Sequence, residues 1–161
     1  MEVIYTNKSK NVESGTYYII DPCYVLQNII DWDEYCKACF PNEYIYINPM
    51  FILLKEGKKI WTIPAWGTAY GDGCYPVFED GYCKEIGECG VDAGVLSFIP
   101  EEIVKMSLTK GNDLAKDGDL IHLGVKVVLE YGGTPVFADG DCRLENFRVI
   151  TSGNNKNLKK R

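Results

Sequence analysis

Histidine, the residue most often used for acid–base chemistry near neutral pH, occurs once in 161 residues, as His122. Nucleophilic Ser-His or Cys-His catalysis needs an imidazole beside the nucleophile. His122 sits inside an alternating run, 120–131, where a strand imidazole is the simpler reading. Basic residues are also short: 17 Lys and Arg face 23 Asp and Glu, a net charge of −6. Four of the 17, Lys156, Lys159, Lys160 and Arg161, crowd into the last six positions. No dense cationic face remains to displace phosphate counterions, so no nucleic-acid partner is expected. Nor does any apolar run reach the roughly 18 residues of a membrane helix, so no membrane partner is expected either. The start, Met-Glu-Val-Ile-Tyr, lacks the basic head and apolar stretch of a secretory signal, and a cytoplasmic location is expected. Seven cysteines are an odd count for a disulfide framework and are expected to be reduced.

A hydrophobic fraction of 46% beside 25% charged residues is that of an ordinary globular chain. Its length suits one domain, since domains commonly hold about 100–200 residues. The expected layout is a single β-rich domain over 1–151 and a disordered basic tail over 152–161, entered through Ser152-Gly153-Asn154-Asn155.

Strand signals dominate. Val3-Ile4-Tyr5 and Thr16-Tyr17-Tyr18-Ile19-Ile20 are rich in β-branched and aromatic residues, with a polar connection over 7–14. Met50-Phe51-Ile52-Leu53-Leu54 and Lys59-Ile60-Trp61-Thr62-Ile63, joined through Glu56-Gly57-Lys58, read as a hairpin. Val95-Leu96-Ser97-Phe98-Ile99 is another strand. The run 120–131, then 134–138 and 142–151, separated by Tyr131-Gly132-Gly133 and Asp139-Gly140-Asp141, predicts a three-stranded antiparallel meander. The seven glycines of 66–94 predict short strands and abundant loops. Apolar spacing over 29–40 predicts one helix, with Asp31, Asp33 and Glu34 at its start and Pro41 beyond its end. Pro100-Glu101-Glu102-Ile103-Val104 predicts a single helical turn. The fold class is therefore mostly β (β-rich α+β): an antiparallel sandwich or open barrel with one helix packed on it.

Three segments place an acid among glycine, proline or aromatic residues: Asp21-Pro22-Cys23-Tyr24, Tyr70-Gly71-Asp72-Gly73-Cys74-Tyr75 and Val91-Asp92-Ala93-Gly94. Proline fixes the backbone behind Asp21. The glycines about Asp72 let main chain approach a ligand while tyrosines form walls. Each segment alone is also ordinary turn chemistry, in which Asp bonds nearby amides. If convergent, Asp21, Asp72 and Asp92 could hold a divalent cation or perform acid–base work. Cys36-Lys37-Ala38-Cys39 has zinc-ligand spacing, but no second pair completes four ligands unless Cys74, Cys83 or Cys89 does. Asp117-Gly118-Asp119 and Asp139-Gly140-Asp141 lack the closing glutamate of a calcium loop and read as turns. No metal residue is assigned.

The ordered set, Gly15-Thr16-Tyr17-Tyr18-Ile19-Ile20-Asp21-Pro22-Cys23-Tyr24, a tryptophan, Gly67-Thr68-Ala69-Tyr70-Gly71-Asp72-Gly73-Cys74-Tyr75 and Gly90-Val91-Asp92-Ala93-Gly94, resembles an uncharacterised family of small tailed-phage and bacterial proteins. The resemblance covers roughly residues 15–100. It implies an accessory protein of a phage, acting in the host cytoplasm, and brings no activity with it.

The residues favour a non-catalytic binding module capturing a small host molecule or a host protein, in a counter-defence role. Its candidate ligand-binding residues are Asp21, Cys23, Tyr24, Trp66, Tyr70, Asp72, Tyr75 and Asp92. A nucleotide-type signal is one candidate ligand, although phosphate capture usually recruits Arg or Lys and the motifs hold none. Backbone amides of the glycine segments would have to serve instead. A cationic or hydroxyl-rich ligand suits three acids better. The alternatives are a metal-assisted hydrolase using Asp21, Asp72 and Asp92, and a structural or virion-associated protein whose motifs only shape loops. No catalytic residue is assigned and no cofactor is expected. Exposed aromatics would support a homodimer.

Overall fold

A computed structural model describes residues 1–40, 49–79, 84–112 and 123–153. Eleven strands and two α-helices lie among them: β1 (Glu2–Thr6), β2 (Val12–Ile20), α1 (Trp32–Cys39), β3 (Met50–Glu56), β4 (Lys59–Gly67), β5 (Gly73–Glu79), β6 (Lys84–Val91), β7 (Val95–Pro100), α2 (Glu101–Thr109), β8 (Val125–Gly133), β9 (Val136–Ala138), β10 (Asp141–Leu144) and β11 (Phe147–Val149). They form a six-stranded sheet, β1-β3-β4-β7-β2-β8, and a five-stranded sheet, β6-β5-β11-β10-β9. Every neighbouring pair is antiparallel. The mostly-β sandwich expected from the strand pattern is the observed architecture.

Side-chain alternation explains the layering. Along β2, β4 and β7, one set of side chains (Ile19, Trp66, Leu96, Phe98) packs against Val77, Cys142, Phe147 and Val149 of the five-stranded sheet. The other set (Ile20, Ile63, Val95, Ile99) packs beneath Tyr35 of α1, Ile103 and Val104 of α2, and Leu26. The central strands are thus covered on both faces, which is why Val95-Leu96-Ser97-Phe98-Ile99 is buried throughout instead of alternating.

Several expectations are corrected. The helix expected over 29–40 begins only at Trp32, because Asp31 caps it by accepting from the Asp33 and Glu34 amides at 3.0 and 3.2 Å. Two 3-10 turns, Pro22–Tyr24 and Leu26–Asn28, precede it. The single turn expected after Pro100 is a second helix of nine residues, held to the molecule by Ser107 Oγ donating to Asn28 Oδ1 at 2.7 Å. Most of the polar connection expected over 7–14 is shorter than that, since β2 starts at Val12. The region 66–94 carries a full hairpin, β5 and β6. The three-stranded meander does not include β8, which pairs with β2 in the other sheet. The strand expected over 142–151 is two strands, β10 and β11, about a turn where Glu145 adopts φ +56°. His122, Cys83, Pro41, Asp117, Asp119 and the tail beyond residue 153 lie outside the described residues.

Glu145 ties the two sheets together. Its carboxylate accepts from the amides of Glu130, Tyr131 and Gly132 at 2.7, 3.0 and 2.7 Å, where β8 passes over the β10–β11 turn. The backbone there is close: a Cβ on Gly132 would lie 2.2 Å from the Val12 carbonyl oxygen, so only glycine fits. Charge-assisted bonds contribute about 1.5–3 kcal/mol when sheltered and less in contact with water. Glu145→Ala is expected to lower unfolding stability by about 1–3 kcal/mol in a urea titration, with Glu145→Gln recovering part of the loss.

Candidate functional site

The first motif forms a buried anchor. β2 ends at Ile20, and Asp21 follows with no solvent exposure. Its Oδ1 accepts from the Cys23 amide at 2.9 Å, capping the turn Pro22–Tyr24. Its Oδ2 accepts from the amides of Asp92 and Ala93 at 2.8 and 2.7 Å. Removing a carboxylate from water costs several kcal/mol, and three charge-assisted bonds at about 1.5–3 kcal/mol each offset that cost. Burial pushes the Asp21 carboxyl up from its ordinary value, while the amide bonds from Ala93, Cys23 and Asp92 pull it the other way. The first and third motifs are therefore joined through side chain and backbone. Tyr24 closes the same corner by donating its hydroxyl to Asp92 Oδ2.

The second motif is a loop folded against the third. Thr68 donates its amide to the Gly94 carbonyl at 3.0 Å and its hydroxyl to the Gly71 carbonyl at 2.6 Å. The Tyr75 hydroxyl donates to the same Gly71 carbonyl at 2.8 Å. Asp72 is exposed at the tip, and its charge reaches Cys23. The three motifs thus meet, through bonds that shape loops.

The predicted residues do not line one pocket. Asp21 is wholly buried, Tyr24 and Tyr75 are nearly so with hydroxyls committed to Asp92 and Gly71, and Cys23 is half-buried. Asp72, Asp92 and Tyr70 are exposed, Tyr70 to 73%. Trp66 is buried in the core between the two sheets, 1% exposed, and borders a different cavity.

Burial, followed by the carboxylates of Asp21, Asp92 and Asp72, pushes the Cys23 thiol far up, so it carries its proton at neutral pH and is a poor nucleophile. Burial and its bond to Asp92 likewise push the Tyr24 phenol up. Cys89 is pushed up to about 12 by burial, with its thiol donating to the Ile19 carbonyl. All six described cysteines are free. No group of three His, Cys, Asp or Glu side chains among the described residues is placed to hold a metal ion.

A cleft of about 400 Å³ lies on the far side of the Gly67–Gly73 loop, where the ends of the two sheets come together. Trp66 and Phe137 form its apolar wall, with ring centroids 5.7 Å apart. Pro49, Thr68 and Ala69 bound one side and the Asp139-Gly140 turn the other. The wall is fixed by polar bonds: Trp66 Nε1 donates to the Gly140 carbonyl at 3.0 Å, and the Thr151 hydroxyl donates to that carbonyl at 2.6 Å while accepting from the Ala69 amide at 2.9 Å. Asp141, fully buried, accepts from the amides of Thr151 and Ser152. A Cβ at Gly140 would stand 2.5 Å from the Ala69 nitrogen, so this close approach requires glycine. Asp139 is exposed at the mouth of the cleft in the left-handed region, φ +53°.

Sequence reasoning placed Trp66 among the ligand-binding residues and missed Phe137, Asp139 and Asp141. Asp139-Gly140 is the turn expected of it, joining β9 to β10. Its proximity to Trp66, 74 residues away, has no local signal.

No family model, curated protein or solved structure matches the chain.

Two outcomes follow from this geometry. Asp21→Asn places an amide NH₂ against backbone donors in either flip and is expected to cost about 2–4 kcal/mol in chemical denaturation. Mapping of the native protein after brief iodoacetamide treatment is expected to find exposed Cys74 modified well before Cys23, Cys39, Cys89 and Cys142; rapid labelling of Cys23 would contradict its assigned burial and charge environment.

Proposed function

We infer that the protein is a non-catalytic recognition domain that captures a small molecule in the Trp66–Phe137 cleft. The observation that supports this most is the cleft itself: the partly exposed Phe137 ring packed on the buried Trp66, a frame held by bonds among Trp66, Gly140, Thr151 and Asp141, and an exposed carboxylate, Asp139, at its mouth. Small-molecule sites combine an apolar concavity with a few fixed polar groups in this manner. The aspartate motifs serve as its scaffold: Asp21 orders the 91–94 turn, and that turn orders the loop whose residues 67–69 line the cleft.

The lining sets the ligand class. Asp139 is the exposed acid of the cleft, Asp141 being buried and bonded to Thr151 and Ser152, and no Lys or Arg lines the cleft among the described residues. A planar or apolar body with a cationic or hydroxyl donor suits such walls, and a phosphorylated signal suits them poorly. As a member of the phage-and-bacterial family that its motifs resemble, the protein would act as an accessory factor withdrawing such a molecule from a host pathway. The metal-assisted hydrolase has no support in the position of Asp21, both of whose oxygens are held by backbone amides.

A thermal-shift screen of amines, nucleosides, aromatic amino acids and sugars tests the reading. A ligand that raises the melting temperature of the wild type is expected to bind Asp139→Asn about tenfold more weakly, the loss of roughly 1.4 kcal/mol. Asn tolerates the left-handed backbone at this position, so the variant should melt like the parent. Phe137→Ala should abolish the shift, and Asp72→Ala should leave it intact. A ligand lost with Asp72→Ala and retained by Asp139→Asn would move the site to the aspartate rim and sink this assignment.

A further inference from the structure

Four strands stand at the edges of the two sheets: β1 and β8 in one, β6 and β9 in the other. An edge strand presents a row of unpaired backbone donors and acceptors, and folded proteins blunt such rows by shortness, bulges or cover. β1 and β9 have only five and three residues. β6 is irregular where it pairs with Val77 and Phe78. β8 is different: it has nine residues and pairs regularly with β2 from Val125 to Leu129. Val128 on this stretch is 62% exposed, and Tyr131 beyond it is 81% exposed. Among the described residues no strand lies on the outer side of β8.

Two observations set the direction of its backbone groups. Tyr17 stands opposite Pro100 of β7 and Val127 of β8. Pro100 has no N–H to exchange, so Tyr17 turns its groups toward Val127. The Glu130 amide points away from β2, to the Glu145 carboxylate. Backbone groups alternate in direction along a strand, so Val125, Val127 and Leu129 bond to β2 while Lys126 and Val128 face outward. Glu145 also holds the amides of Tyr131 and Gly132, which closes the edge beyond Leu129. The open part of the edge is therefore Val125 to Leu129.

The charges beside this stretch are complementary to themselves. Lys126, Val128 and Glu130 alternate with buried Val125, Val127 and Leu129 and share the exposed face. Lys126 and Lys105 both bond Glu101, at 2.8 and 3.5 Å, so one carboxylate serves two cations. Glu130 has no ion pair among the described residues. A shared cation and an unpaired carboxylate on either side of Val128 match a copy of the same strand running the opposite way.

We propose that this edge pairs with a second copy of the chain: two β8 strands lie antiparallel across a two-fold axis at Val127, joining two six-stranded sheets into one. Lys126 then faces the partner's Val128, and Val128 the partner's Lys126, in two pairs that exchange about four backbone bonds. Lys126 reaches the partner's Glu130 across the diagonal, a span that a long side chain covers. Pairing over five residues falls at the small end of specific interfaces, so the dimer forms in a concentration-dependent manner. It shares no residue with the Trp66–Phe137 cleft and does not depend on a ligand there.

Sedimentation velocity of the full chain from about 1 µM to 1 mM is expected to show a monomer–dimer equilibrium, with exchange protection of the Lys126 and Val128 amides rising as the dimer forms. Val128→Lys, at an exposed position, sets a second cation beside each Lys126 and should weaken the dimer at least tenfold while melting like the parent at low concentration. Lys126→Glu and Glu130→Lys should each weaken it as well, through facing like charges. Mixing those two variants should restore association, because the mixed pair regains opposite charges at both diagonals. Tyr70→Ala, on a distant exposed loop, should leave the dimer intact. A monomer at every concentration, a dimer that survives Val128→Lys or is lost with Tyr70→Ala, or a mixture that associates no better than its components would each overturn the proposal.

Discussion

The carboxylate of Asp21 sits at the junction of everything that gives this fold its working surface. A carboxylate withdrawn from water is tolerable only when its lone pairs are met, and here they are met by three main-chain amides, that of nearby Cys23 and those of Asp92 and Ala93, 71 and 72 residues along the chain from Asp21. That arrangement fixes where β2 ends, starts the 3-10 turn that leads toward α1, and sets the reversal between β6 and β7. Since β7 lies in the middle of the six-stranded sheet with β2 on one flank and β4 on the other, the placement of that reversal carries through to both neighbouring strands.

From this corner the constraint passes outward through backbone bonds. The 91–94 turn holds Thr68, Thr68 holds Gly71, and Ala69 is held in turn by Thr151. The loop between β4 and β5 is therefore pinned at both faces, and one face becomes a wall of the Trp66–Phe137 cleft. Asp21 and Asp92, which look in sequence like ligands, thereby hold loops together. Asp139, exposed at the mouth of that cleft, stands apart from these loop-holding bonds.

Much of the fold was readable from residue order. The hairpin about Gly57 follows from two apolar β-branched runs and a glycine turn, and the unbroken run from Val95 to Ile99 signals a strand covered on both faces. The convergence of the three aspartate motifs was anticipated as a question, and the answer is that they meet by hydrogen bonding backbone, with Asp21 inaccessible and Asp72 exposed. Less was legible where local pattern underdetermines partner choice. The alternation of Val125, Val127 and Leu129 marks β8 as a half-buried strand but is equally compatible with either sheet. Asp139-Gly140 reads as a turn and is one, and nothing local shows that its Gly140 carbonyl will receive the Trp66 indole.

The sequence by itself determined the class and the elements: a mostly-β chain poor in histidine and cationic surface, with strands set by apolar and β-branched runs and turns set by glycine, proline and aspartate. These are short-range properties, governed by backbone sterics and side-chain periodicity within a few residues. The tertiary structure alone decided that Asp21 is an anchor, that Trp66 and Phe137 share a cleft, and that β8 joins β2 and stands at a sheet edge. Each of these depends on groups tens of residues apart meeting across a sheet or between sheets, where packing and hydrogen-bond satisfaction summed over the whole molecule select the partner.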